Sequence, residues 1–89
     1  MPNGQQDFMD ALAAHVRNAI GDGGIMADYS TEAVKIVDAR NHIFRTIRSG
    51  TTDEADDTYT LRELCRIDEE TLDYTVDYGK LAAVARNYF

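Results

Sequence analysis

The chain has one cysteine, no long apolar run and no excess of positive charge, and each shortage closes off a class of structure or function. A lone thiol, Cys65, cannot build an internal disulfide framework, and it fits a reducing compartment. No apolar stretch approaches the roughly 20 residues that a membrane helix needs. The opening "MPNGQQDFMD" lacks both a basic region and an apolar core, so no secretory signal is expected and the reading is cytoplasmic. The formal charge is −7, which argues against a phosphate-binding surface.

The chemistry-bearing motifs are missing as well. Zinc would want about four ligands in close pairs, and Cys65, His15 and His42 have no such spacing. "GDGG" (21–24) lacks the strand–loop–helix context and the lysine of a phosphate loop. Nucleophilic catalysis needs a nucleophile poised beside a base, and nothing joins Cys65 to either histidine. Cys65 falls at an apolar periodic position and reads as a buried structural thiol. His15 flanks an apolar stripe and reads as a partly buried core residue. The expectation is a non-enzyme with no metal and no cofactor.

What is present is a chain of 89 residues, 44% hydrophobic and 28% charged, ordinary proportions for one globular domain. Such a length buries only about 60–65% of its unfolded surface, so the core is small. The acids are unevenly placed. Residues 1–50 carry six acids and five bases, whereas residues 51–78 carry ten acids against Arg62 and Arg66 alone.

Periodicity predicts a helix over Asp7–Ile20, with Phe8, Leu12, Val16 and Ile20 four apart and glycines closing it. A second helix is expected from Ser30, an N-cap type, through Ala33, Ile36, Val37, Ile43, Phe44 and Ile47 to "SG" at 49–50. Together they would form an N-terminal helical hairpin over residues 7–49. His42, Arg45 and Arg48 lie three apart there, and the helix dipole accounts for the arginines. Arg40 falls among the apolar positions and is expected to pair with an acid of the second half. Residues 51–58, "TTDEADDT", form an acidic loop, and a C-terminal unit follows over 60–88. Calcium chemistry does not fit that loop. Counting from Asp53, the sixth position is Thr58 rather than Gly and the twelfth is Leu64 rather than Glu.

The segment 58–78 supports two readings. As helix, Thr60 and Glu63 form a capping box for a short helix, and Asp68 caps a longer one with a stripe of Tyr74, Tyr78, Leu81, Ala85 and Tyr88. As a hairpin, Leu72, Tyr74, Val76 and Tyr78 alternate with Asp73, Thr75 and Asp77 about a turn at Asp68–Glu70. "DEE" lacks the Gly or Asn that tight hairpin turns favour, while Gly79 inside a helix costs roughly 1 kcal/mol. The two caps in register tip the balance to helix. The expected fold is therefore all-α, a small single-domain bundle of three to four helices over residues 1–89. The alternative is α+β, with a hairpin over residues 58–78 packed on helices.

The outline of Thr60–Leu81 also resembles a helix-turn-helix in general shape. Its second segment, however, offers phosphate Glu69, Glu70, Asp73 and Asp77, all repulsive. On a helix, Glu69, Asp73 and Asp77 would form an acidic ladder flanked by Tyr74 and Tyr78. Like charges at that spacing weaken a helix, so these five residues are the candidate surface for another protein, one with a basic face. The leading expectation is a protein–protein interaction module, with a homodimer expected because the core is small. One alternative is an acidic decoy that mimics nucleic acid and inhibits an enzyme that binds it. A second is a DNA-binding regulator.

Overall fold

The computed structural model describes residues 4–21, 32–48, 57–71 and 74–89. Over these the chain is α+β and not an all-α bundle. Its elements in order are α1 (Gly4–Ile20), β1 (Glu32–Asp38), β2 (Ile43–Arg48), β3 (Thr58–Thr60), α2 (Leu61–Leu64), β4 (Cys65–Ile67), β5 (Tyr74–Val76) and α3 (Tyr78–Ala85). β1 is the middle of a three-stranded sheet, ordered β2-β1-β3, and β4 and β5 form a separate pair. All the pairings are antiparallel.

The first helix forms where its stripe predicts. Phe8, Leu12, Val16 and Ile20, widened by Met9 and Ala13, are its buried face. Gly21, at a φ of 77°, ends it in the left-handed conformation, its N–H returning to the Arg17 carbonyl at 3.0 Å.

The expected second helix is instead the β1–β2 hairpin. Its apolar positions fit a helical stripe only by omitting Val34. With Val34 included, Val34 and Ile36 alternate with Lys35, and β-branched side chains dominate both arms, which suits a pleated half-buried surface. The reversal is built at residues 38–42. The Asp38 carboxylate accepts from the Asn41 amide N–H (3.2 Å) and from Asn41 Nδ2 (2.7 Å), and His42 takes the left-handed turn position at a φ of 55°. Those bonds to Asn41 hold the Asp38 carboxyl below the usual carboxylate range.

The capping box forms as expected. Thr60 Oγ1 accepts from the Glu63 N–H, and the Thr60 N–H donates to Glu63 Oε2. It caps a single turn, however, and Cys65 returns to extended backbone. The long helix expected from Asp68 is absent. Asp68 Oδ1 accepts from the Glu70 and Thr71 amides at 2.8 and 3.2 Å, closing the β4–β5 hairpin without a glycine or asparagine. Asp77 then starts α3, its Oδ1 accepting from Gly79 N (2.9 Å) and Lys80 N (3.3 Å). Gly79 consequently lies in a first turn rather than in a helix interior. The α+β alternative is thus the architecture found, with the helical capping box and the hairpin occurring in tandem.

The core joins α1 to the inner side of β1 (Val34, Ile36), to Leu61 and Leu64 of α2, and to Leu81, Val84 and Ala85 of α3. Phe8 stands at its centre, fully buried. Its ring meets Phe44 edge-on at 5.6 Å between centroids, Tyr88 at 5.8 Å and Phe89 at 5.4 Å. Phe8→Ala therefore removes the contact shared by a helix, the sheet and the C-terminal turn. It is expected to lower unfolding free energy by about 3–5 kcal/mol in urea titration, a large share of the roughly 4–13 kcal/mol typical of this length.

Candidate interaction surface

The five residues expected to form one surface are used in different ways. Glu69 is exposed in the β4–β5 turn, on the rim of a hollow of about 520 Å³ that it shares with Arg66, Asp68 and Glu70. Asp73 lies outside the described residues. Tyr74 is half-buried against the core, opposite Ile67. The carboxylate of Asp77 is committed to two amides at the start of α3. Tyr78 is 39% exposed, and its ring lies 6.0 Å from the Arg17 guanidinium, whose Nη2 is 3.5 Å from the phenol oxygen. Because Glu69 sits in a turn and Asp77 caps a helix, the acidic ladder has no helix to run along. The helix-turn-helix outline is likewise absent, since α2 is one turn followed by a strand pair.

The basic positions are redistributed too. Arg40 and His42 are exposed in the β1–β2 turn and Arg45 is on β2. Arg40 lies near Asp38, an acid of its own half, whose charge it favours. The acidic loop 51–56 is outside the described residues.

Cys65 is fully buried, and burial pushes its thiol up to about 11, so almost none is thiolate at neutral pH. Between α2 and α3 runs a shallow groove of about 310 Å³ lined by Tyr59, Glu63, Lys80, Ala83, Val84 and Asn87. Its polar groups are engaged within the chain. Lys80 Nζ donates to the carbonyls of Cys65 (2.7 Å) and Arg62 (3.0 Å), and Asn87 Nδ2 donates to the Tyr59 hydroxyl. These bonds seam α3 to α2 and β3. Among the described residues no three His, Cys, Asp or Glu converge as a metal site would require.

A different surface emerges on the β1–β2 hairpin. One face meets α1, where Phe44 packs on Phe8 and His15 Nε2 lies 3.0 Å from Thr46 Oγ1. The opposite face carries Lys35 and Arg45 directly across from one another, with Thr58 on the far side of Lys35. Ala33, on that face, is the one buried apolar residue in the described chain outside the core cluster. The register slips between Ile36 and Asp38, leaving Val37 as an extra residue beside the Phe44–Ile43 step. Val37 is 53% and Ile43 49% exposed, the two most exposed large apolar side chains described. The helical reading of residues 30–49 hid this face by assigning Val37 and Ile43 to the core. The Asp–Asn pair three apart at 38 and 41 was the local signal for the turn.

No protein-family model matches the chain, no curated protein matches it, and no solved structure matches it. No helix among the described residues is long and apolar enough to cross a membrane.

Two expectations follow from this geometry. Asp77→Ala should cost about 1 kcal/mol through the lost cap, whereas Asp77→Ser should recover most of it; equal losses in thermal unfolding would show that Asp77 does not act as a cap. Burial also lowers the His15 pKa below its ordinary 6.5. The unfolded chain then binds the extra proton more readily, so His15 adds stability above pH 6.5 that is lost as pH falls through its lower folded value. Denaturant midpoints of His15→Gln should be flatter than those of the native chain between pH 6.5 and about 5, a window above the range where carboxylates titrate.

Proposed function

We propose that the chain is a non-enzymatic module that binds a different protein along the β2 edge and the exposed end of the β1–β2 hairpin. The observation that carries this reading is that Val37, the bulged residue at the end of β1, and Ile43, on edge strand β2, both lie in the open where a stable monomer would ordinarily place polar groups. β2 is also the one long edge among the described strands. β3, β4 and β5 are three residues each, and β3 runs straight into the α2 capping box. Six residues span about 20 Å, enough to seat a strand. The absence of enzymatic activity is supported by Cys65 being buried with a raised pKa and by His15 being bonded to Thr46, well apart in their roles.

A second copy is the other occupant such an edge would accept, which is the homodimer that the small core suggests. β2 reads "IFRTIR", with two arginines and no acid. Arg45 lies on the outer face, so antiparallel pairing of two such strands about a two-fold axis would bring both copies' Arg45 onto one face with no acid of β2 to neutralise them. That repulsion favours a foreign partner over self-pairing.

The test places a photo-crosslinking residue at Ile43 and, as control, at exposed Ala14 on α1, in cells of the source. The expected result is a distinct protein captured from position 43 only, identified and then reconstituted in pure form. Val37→Ser with Ile43→Ser should weaken that purified complex at least about tenfold, each exposed side chain contributing on the order of 1 kcal/mol. Capture of the chain itself alone, or equal capture from both positions, would overturn the proposal; light scattering across a concentration series separates the first of these.

A further inference from the structure

The charge arrangement on this face specifies what kind of segment the edge takes. Lys35 and Arg45 are cross-strand neighbours on the face away from α1. Like charges directly opposite weaken a sheet. Their other neighbours on that face bring no acid. Thr58 lies beyond Lys35, Ala33 and Val37 flank it along β1, and Ile43 and Ile47 flank Arg45 along β2. Of the described acids near this pair, Asp57, next to Thr58, accepts from the Tyr88 hydroxyl, and Asp38 is tied to Asn41 by two hydrogen bonds. Among the described residues, the hairpin therefore presents a cationic pair with no acid facing it by register, bracketed by apolar side chains, on a chain whose overall charge is −7.

Resting on the reading of β2 as the docking edge, we propose that the partner contributes an extended acidic segment that adds to the sheet as a fourth strand beside β2. Strand addition supplies main-chain hydrogen bonds to the edge, and alternate side chains supply the specificity. On the outer face the added strand meets Ile43, Arg45 and Ile47 in turn, because side chains repeat every second residue. The complementary pattern is apolar, any, glutamate, any, apolar. The central glutamate lies one strand spacing, about 4.8 Å, from β2, where the Arg45 guanidinium can donate two parallel N–H bonds to its carboxylate. Lys35 stands one strand further on, and its four-carbon stem allows the ammonium to reach the same carboxylate. The two outer apolar residues cover Ile43, with Val37 behind it, and Ile47. Glutamate fits better than aspartate because its longer stem reaches the level of both cations.

Three dye-labelled seven-residue peptides test this against the full chain by fluorescence anisotropy. They alternate Thr and Val and carry Glu, Lys or Thr at the centre. The Glu peptide is expected to bind at least about tenfold more tightly than the Lys peptide, and to weaken as salt rises from about 50 to about 500 mM. Arg45→Glu should invert the order of the two charged peptides, and Arg45→Gln should narrow the gap between them. Circular dichroism checks that both variants keep the native melting profile, and the Gln variant stands alone if the Glu variant does not fold. Equal affinities for the Glu and Lys peptides, an order unchanged by a folded Arg45→Glu, a gap not narrowed by Arg45→Gln, or no binding of the Glu peptide at millimolar concentration would overturn the proposal. A partner captured at Ile43 together with equal peptide affinities removes only the acidic strand. No capture at Ile43 removes the docking edge itself.

Discussion

An aspartate carboxylate accepting hydrogen bonds from backbone amides two or three residues ahead recurs at three corners of this chain, and the fold depends on it. Asp38 turns β1 into β2, Asp68 turns β4 towards β5, and Asp77 starts α3. In each case a short acidic side chain satisfies amide donors that a continuing helix would have supplied with carbonyls. Remove that competition and the sequence on either side has enough helical periodicity to run on. With it, the chain is broken into short elements that can fold back over one core. The Asn41 side-chain and backbone amides at Asp38, and the Thr71 and Glu70 backbone amides at Asp68, also hold these carboxyls ionised to lower pH than usual, so these corners persist across the neutral range.

This gives part of the acidic surplus an internal use. Asp68 and Asp77 belong to the acid-rich stretch 51–78, yet their carboxylates face the chain's own amides rather than a partner. A cationic pair, Lys35 and Arg45, meanwhile sits on the other half of the molecule, on the outer face of the β1–β2 hairpin. A net charge of −7 therefore describes the molecule seen from a distance, while the outer face of this hairpin carries side chains of the opposite sign. In the proposed docking mode, Arg45 both discourages two copies from pairing by their edges and selects what else can pair there.

Sequence alone sufficed for α1 and for the capping box at Thr60 and Glu63. Both are local: the stripe at Phe8, Leu12, Val16 and Ile20 needs only one partner surface, whatever it is, and the box closes within four residues. The sequence also identified Cys65 as buried, since its apolar position holds under either period. Residues 30–49 and 68–78 were ambiguous for a physical reason. Ala33, Ile36, Val37, Ile43, Phe44 and Ile47 satisfy helical spacing, while Val34 and Ile36 satisfy alternation. No local term separates the two until a second strand is present to pair with. Choosing helix there put Val37 and Ile43 inside and so concealed the surface that the structure exposes.

Composition, the first helix and the one-turn capped helix were thus properties of the chain by itself, because each rests on contacts within a few residues. Which face of β1 meets α1, which strand is left at the edge and which acids serve as corners rather than as surface were decided only in three dimensions. Those outcomes turn on pairing across 31 residues, as between His15 and Thr46, or across 29, as between Tyr59 and Tyr88. Interactions of that reach cost loop-closure entropy that nothing local offsets, and they form only when the whole core, with Phe8 at its centre, closes at once.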